Sequence, residues 1–568
     1  MKKLVNDVLN VVPESLEGFA RLHPTLAILD GHTTVVRADV AAFRASGKVA
    51  ILSGGGAGHE PAHAGYVGQG MLTAAVSGDV FASPSTDAVH AALKAVGTPA
   101  GVLMIVKNYT GDRINFGLAA EMARAEGIPV ETVVVDDDAA LGSAEMTAGR
   151  RGIAGTVLVH KIAGAAAEAG MPLPEVAEKA RQAVSRLSSM GVALTPCVVP
   201  AAGSANFEIG PDEIEFGLGI HGEAGVSRQV IASSRVIVGA LIEKIVADKG
   251  LVSGDRVVLL VNNLGSTPTM ELNIVARDTL ESLADRGIAI DRAYCGTFLT
   301  AIEMAGISLS VLKSDAATLA ALDAGTVAPG WLANGSTIAP PARSAARIAI
   351  PPTSKKTAEE DGTGSAPPAF LDAIRAACEA LIAAEDALTA MDQKVGDGDI
   401  GRSLAQGAEQ ILKSLEGFAK RSPKAVLMAI SEIVRRSVGG TSGPLYAAFA
   451  LGAANALTDD FCASEQLSAA FENGVRSVSA LGGAQEGDRT MVDALVPAVR
   501  AIRAASSAPA GLLAAAVAAR RGAAATAHMA PRRGRSSYLG ARVLGHVDPG
   551  AEAVAIWLAA VAGQTSAE

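Results

Sequence analysis

Lys48-Val49-Ala50-Ile51-Leu52-Ser53-Gly54-Gly55-Gly56-Ala57-Gly58-His59-Glu60-Pro61-Ala62-His63 joins a short apolar run, Lys48–Leu52, to a glycine-rich segment carrying two histidines. The run has the length and β-branching of a buried strand. The glycines after it let a backbone turn sharply and approach a ligand closely. A strand feeding such a loop is how open α/β sheets build ligand sites at their carboxyl ends. Gly101–Val106, Thr132–Val135 and Arg256–Val261 repeat the strand signal between Ala-rich helical segments. That alternation predicts α/β architecture with a largely parallel sheet. A cluster of Gly, Ser and Asn at Ala201–Glu208 marks a seam between two α/β subdomains.

The pattern stops at Pro351–Pro368, a stretch rich in Pro, Gly, Ser and charge with the composition of a flexible linker. Beyond it strand signals nearly vanish. Phe370–Leu388, Pro423–Val438, Leu445–Leu457 and Val492–Ala504 carry helical periodicity. The predicted organisation is an α/β domain over 1–350, a linker over 351–368 and an all-helical domain over 369–568.

The length of 568 residues exceeds what one core sustains and fits two or three domains. A formal charge of −10 argues against a nucleic-acid binder, which needs a basic footprint. Apolar runs such as Val102–Val106 and Ala553–Ala562 fall short of a membrane span. Polar residues within Met1–Asp7 interrupt any signal-peptide core, so a cytoplasmic protein is expected. The four cysteines, Cys197, Cys295, Cys378 and Cys462, have no paired metal or redox spacing and read as ordinary thiols.

His59-Glu60-Pro61-Ala62-His63 has the H-E-x-x-H form of a zinc protease helix. Pro61 and the preceding glycines speak against the required helix, and no third ligand is apparent. Lys107-Asn108-Tyr109-Thr110-Gly111-Asp112 follows a strand and sets ammonium, amide, hydroxyl and carboxylate groups at its carboxyl end. Taken alone it also reads as a solvated turn. His221, in Glu215–Glu223, has glycine neighbours and alone reads equally as a structural hydrogen-bonding residue.

In the second half, Asp392, Asp397 and Asp399 crowd one glycine-containing turn, a repulsion that a divalent cation relieves. Hard oxygen donors suit magnesium; a calcium loop is the rival, without the downstream glutamate of an EF-hand. Gly439–Pro444 lies between helical stretches with Pro444 at a first helical position, so its N–H groups can cradle phosphate. Gly482-Gly483, Gly487–Met491, Arg532–Tyr538 and Asp548-Pro549-Gly550 are helix-connecting segments that alone are turn chemistry.

Taken in order, residues 54–72, 105–112, 133–138, 150–168, 215–223 and 261–268 resemble the substrate-binding subunit of the dihydroxyacetone kinases, over nearly all of 1–340. The resemblance implies that His221 attacks the substrate's ketone carbon to form a covalent hemiaminal, open only to neutral imidazole with a free ring nitrogen. Ketones and aldehydes are then selected over polyols such as glycerol. It implies that His59 and Asp112 act on the phosphoryl-accepting hydroxyl as acid/base and orienting groups, His59 being the first choice of base. Gly56, Ala57, Gly58, His59, Lys107 and Asp112 would line the sugar pocket. Ala57 stands where the family commonly carries serine, which puts the preferred ketose in question.

From about residue 370 onward the chain is similar to the nucleotide-binding subunit of the same kinases, an eight-helix barrel. That similarity makes Asp392, Asp397 and Asp399 ligands of two magnesium ions. Thr441, Ser442, Gly482, Met491, Arg535, Asp548, Pro549 and Gly550 would line the ATP site. Ile400 departs from the threonine or histidine usual after the third aspartate. The implied reaction moves ATP's γ-phosphoryl group to a ketose hydroxyl, magnesium and Arg535 offsetting charge. A homodimer, domain-swapped or not, is compatible with the tether. Erythrulose and glyceraldehyde are rival substrates, FMN cyclisation a remoter activity, and a ketose sensor without transfer the reading from another class.

Overall fold

The computed structural model describes residues 2–140, 149–223, 225–333, 345, 365–396, 398–458, 464–533 and 535–564. The chain divides into two compact units, Met1–Arg347 and Ile348–Glu568. The linker stretch 351–364 lies outside the described residues.

The first unit holds two six-stranded sheets. One comprises β1 (Leu26–Ile28), β2 (Thr34–Arg37), β3 (Ala50–Ala57), β4 (Ala74–Val80), β5 (Val102–Lys107) and β6 (Val130–Val135), in the order β1-β2-β4-β3-β5-β6. Its core, β4-β3-β5-β6, is parallel. The other comprises β7 (Leu187–Ala193), β8 (Glu213–Phe216), β9 (Ser227–Val230), β10 (Arg256–Asn263), β11 (Ala289–Gly296) and β12 (Gly306–Lys313), in the order β11-β10-β12-β7-β8-β9. Here only β10–β11 is parallel; the remaining pairs are antiparallel. The expectation of a largely parallel sheet therefore holds for the first sheet and fails for the second, where strands after β7 return by routes that reverse direction. The stretch 201–208 lies between β7 and β8 of one sheet.

Side-chain alternation explains the layers. Along β3 and β5, Ile51, Leu103 and Ile105 face helices Thr156–Glu168 and Leu173–Arg186, whereas Leu52, Met104 and Val106 face helices Thr86–Val96 and Thr110–Ala125. A strand covered on both faces is apolar on both, as Ala50–Leu52 and Val102–Val106 are. In β10, Val258 and Leu260 join the first cluster while Val257, Leu259 and Val261 pack with helices Ser234–Lys249 and Thr269–Asp285. Helix Thr156–Glu168 is thus enclosed between the sheets, buried from Thr156 to Ala167.

β3 runs on to Ala57, so the glycine run expected as a loop is mostly strand. The reason is steric. A Cβ on Gly54 would drive into the carbonyl oxygen of Val76 on β4, and one on Gly56 would lie 2.8 Å from Phe81 Cα. Glycine lets β4 and the Phe81–Ala82 segment press onto the strand's end.

The second unit consists, among its described residues, of packed α-helices without strands, from Pro368–Ala383 to Pro549–Gln564. Leu404, Ala408, Ile411, Leu415 and Phe418 form the buried stripe of helix Ile400–Phe418. The stretch read as one helix over Phe370–Leu388 is two, Pro368–Ala383 and Glu385–Val395, broken at Ala384. Pro444 stands two residues inside helix Ser442–Asn455 instead of opening it. No helix among the described residues is long and apolar enough to cross a membrane. Cys197 and Cys378 are buried thiols, and Cys462 lies outside the described residues.

Gly54→Ala will destabilise the first unit by about 1–3 kcal/mol through overpacking against β4. Gly18→Ala, in helix Val11–Leu22 with open space around it, will be neutral or stabilising by up to about 1 kcal/mol. Thermal melts of the two variants that shift equally would refute the steric account.

Candidate active site

His59 follows Gly58, whose φ of 94° suits glycine, and is fully buried. Its Nδ1 lies 2.7 Å from the carbonyl oxygen of Thr300, which only accepts, so Nδ1 carries the ring proton. His221 arrives from the loop after β8. Its Nδ1 is 2.7 Å from Oε1 of Glu223, and its backbone N–H donates to Oε2 of the same carboxylate at 3.1 Å. With both Nδ1 atoms committed as donors, the two Nε2 atoms face each other at 3.1 Å. One proton can sit between them; without it, two lone pairs meet.

Burial, then the charges of Lys107 and His221, holds His59 well below the ordinary imidazole range, outweighing the Thr300 bond. Burial alone would raise Glu223, but the His221 hydrogen bond and charge, with backbone N–H bonds, carry its carboxyl down to about 2. Aromatic rings fix both histidines. Phe81 stacks on His59 with centroids 5.1 Å apart, and Phe81 and Tyr109 meet His221 edge-on at 5.2 and 4.7 Å.

Lys107, at the end of β5, is fully buried and its Nζ has no hydrogen-bond partner. Asp112 sits in the first turn of helix Thr110–Ala125. A Cβ on Gly55 would lie 3.4 Å from that Nζ and 3.5 Å from Asp112 Oδ2, so the space over Gly55 is bordered by both groups. Burial pushes the Lys107 ammonium below its usual range against the charges of Asp112, Glu223 and Asp137.

The second histidine of the H-E-x-x-H run turns elsewhere. His63 Nδ1 lies 3.0 Å from Nε2 of buried His160, while Glu60 accepts from the Gly58 N–H at 3.1 Å. His59 and His63 thus pair with different histidines.

In the second unit, Asp392 is buried near the end of helix Glu385–Val395, and its Oδ2 accepts from the N–H groups of Asp399 and Ile400 at 3.0 and 3.3 Å. A carboxylate oxygen of Asp399 lies 3.6 Å from where a Cβ on Gly440 would stand, beside the Thr441-Ser442 start of helix Ser442–Asn455. Met491, opening helix Val492–Ala504, is 3.7 Å from the corresponding point on Gly550. Asp548 accepts from the Ala551 N–H at 2.9 Å and caps helix Pro549–Gln564. Burial, with the charges of Asp493 and Asp392, raises Asp548 to about 6 against the Ala551 bond and Arg489. Gly482 ends helix Ser464–Gly482 against Leu445. Asp397 and the Arg535 side chain lie outside the described residues. Among the described residues no three potential ligands assemble. Asp392 and Asp399 meet at one turn through the Asp392 Oδ2 bond to the Asp399 N–H, and hard carboxylate oxygens so gathered suit a divalent cation.

Glu223, Phe81, Tyr109 and Thr300 received no role from the sequence. Glu223 had a signal: a carboxylate two residues from His221 across Gly222, whose φ is 87°. Phe81 and Thr300 come from distant segments without one.

Residues 17–330 match the Dak1 domain and residues 394–563 the DAK2 domain. A putative 3,4-dihydroxy-2-butanone kinase of Solanum lycopersicum is 44% identical, over 99% of this chain and 98% of its own. The triokinase/FMN cyclase of Homo sapiens is 41% identical over the same shares. The crystal structure of the dihydroxyacetone kinase from C. freundii in complex with AMP-PNP and Mg2+ is similar at a TM-score of 0.63 and 37% identity, covering 99% of both chains.

Burial, then the Lys107 charge, takes His160 down to about 3, below an unfolded value of 6.5. The unfolded chain therefore binds the extra proton between those values, and stability rises with pH through that window, by up to about 1.4 kcal/mol per pH unit. Stability will fall as pH drops from 6.5 toward 3, and His160→Gln will flatten that slope. Parallel slopes for variant and wild type in denaturant titrations would refute the assignment.

Proposed function

Because the chain belongs to the dihydroxyacetone kinase family, with ketose-binding and ATP-binding domains fused, we propose a residue-level route for its ATP-dependent phosphorylation of dihydroxyacetone-like ketoses. The observation that carries it is the opposed pair of Nε2 atoms, each imidazole tied through Nδ1. His221 Nε2 attacks the ketone carbon. A C–N bond forms, the carbonyl π pair moves to oxygen, and that oxygen takes up a proton from solvent to give the hemiaminal. Glu223 offsets the imidazolium charge so created. Lys107 Nζ, without a partner of its own, donates to a substrate oxygen over Gly55, with Gly56, Ala57 and Gly58 as the remaining wall.

Bonding His221 to carbon also releases His59. Its Nε2 loses the partner it had and is left as an acceptor for the terminal hydroxyl's proton, with Asp112 orienting that hydroxyl. The hydroxyl oxygen bonds the γ-phosphorus, the bond to the β-phosphate oxygen breaks, and ADP leaves. Asp392, Asp397 and Asp399 are proposed to hold two magnesium ions, which when bound neutralise charge on the phosphates. Thr441, Ser442, Gly482, Met491, Arg535 and Asp548–Gly550 are proposed to line the nucleotide site, the start of the helix at Ser442 offering N–H groups to phosphate. The eight-helix barrel, a tethering linker over 351–368, a homodimer and a cytoplasmic location complete the reading.

A four-carbon ketone is the second reading. Ala57 presents a methyl where a serine hydroxyl is usual, and a cavity of about 100 Å³ lies beside it, between the Ala57-Gly58 strand end and Val11, Val12 and Leu16 of helix Val11–Leu22. The Solanum lycopersicum relative, a putative 3,4-dihydroxy-2-butanone kinase, supports such a substrate.

With C2-labelled dihydroxyacetone, the ¹³C carbonyl signal will move to the tetrahedral range on binding wild type and stay unmoved with His221→Ala. An unmoved signal in wild type would refute the hemiaminal. Asp392→Asn will lose magnesium-dependent ADP release by at least about 100-fold while retaining the adduct; turnover near wild type overturns the metal assignment. ADP release across dihydroxyacetone, erythrulose, 3,4-dihydroxy-2-butanone, glyceraldehyde and glycerol will rank the ketones and exclude glycerol.

A further inference from the structure

Arg489 is a costly residue for its position. Its backbone is left-handed, with φ of 63°, where glycine or asparagine is favoured. Its side chain is fully buried, and Nε and Nη1 have no hydrogen-bond partner. Nη2 donates to the carbonyl oxygen of His546 at 2.8 Å, and Nη1 stands 3.7 Å from Oδ1 of Asp548. The other oxygen of Asp548 caps helix Pro549–Gln564 through the Ala551 N–H. A single guanidinium therefore grips both the backbone and the carboxylate of the His546–Gly550 turn.

The loop that carries Arg489 is held from its other side. Asp493 accepts from the N–H groups of Gly487 and Thr490 at 2.6 and 2.8 Å, and the Asp488 carbonyl accepts from the Arg532 N–H at 3.1 Å. Met491, two residues on, packs toward Gly550. Arg489 is thus the buried link between the Gly487–Met491 loop and the Asp548–Gly550 turn. Fully buried and turned onto the His546–Asp548 segment, it fixes two segments that contact the nucleotide under the reading above.

We propose that Arg489 is a positioning residue for the nucleotide site. It locks the Asp548–Gly550 helix start against the Met491 helix start, and its positive charge compensates the buried Asp548. The inference rests on the second unit's being the nucleotide-binding one.

The test uses the full chain, Mg2+ and AMP-PNP in calorimetry, and ATP and dihydroxyacetone kinetics. Arg489→Gly suits the left-handed backbone and removes the guanidinium; it will weaken AMP-PNP binding and raise KM for ATP roughly tenfold, with KM for dihydroxyacetone within about twofold. Arg489→Lys, keeping charge without the fork, will fall between that variant and wild type, and carries the test should Arg489→Gly not fold. A folded variant lacking the guanidinium that binds AMP-PNP within about twofold of wild type overturns the proposal, as does an equal rise in both KM values. Asp392→Asn separates the two levels: undiminished AMP-PNP binding there overturns the nucleotide-site reading itself.

Discussion

Two imidazole nitrogens held 3.1 Å apart, each ring tied through its other nitrogen, are the constraint on which the first unit turns. The carbonyl of Thr300 and the carboxylate of Glu223 remove the tautomeric freedom that would let either ring present an N–H to its neighbour. Burial keeps His59 neutral, so a neutral pair is two lone pairs in opposition, and what relieves it is a proton or an electrophilic carbon. His59 leaves the first sheet, while His221 and Glu223 belong to a loop of the second. The pair therefore exists only if the two sheets are rigidly registered. The helix Thr156–Glu168, enclosed between them with residues of both sheets in its cluster, supplies that registration.

The strand pattern and the change to helices after the linker were readable because period and composition are local properties. The antiparallel order of the second sheet was not, since β7 to β12 look alike in sequence whichever way they run. Gly54–Gly56 illustrate a subtler limit. Their composition says only that the backbone is approached closely, and a loop and a strand pressed by its neighbour satisfy that equally; the Val76 carbonyl and the Phe81–Ala82 segment decide it. The histidines, Lys107 and Asp112 stood out through their motifs. Thr300 and Phe81, which fix His59 from 241 residues downstream and from the far side of β4, carry no local signature.

Both units leave polar groups unpaired where a ligand is proposed to bind. Lys107 Nζ and the Tyr109 hydroxyl in the first, and Nε and Nη1 of Arg489 in the second, are buried without partners. Each such group costs on the order of 1–3 kcal/mol of folding stability. Phe81 and Arg489 add left-handed backbones at the same places, with φ of 62° and 63°. Strain and orphaned donors falling together are the pattern expected where a surrounding fold over-determines the geometry of a binding site.

The two units differ in the currency of recognition. Under the proposed route, selectivity in the first resides in bond formation: a polyol has no carbon for His221 to attack, however well its hydroxyls fit, so the discrimination does not depend on fine shape. In the second, the proposed carboxylates and helix start offer only charge and N–H groups, which bind phosphates generally and read little else. Variation in substrate within one scaffold should then concentrate in the wall of the ketone site, at positions such as Ala57 that border open space without taking part in the chemistry. The His221–His59–Glu223 arrangement cannot vary so freely, because losing Glu223 frees the His221 tautomer and losing either histidine removes one of the two opposed Nε2 atoms.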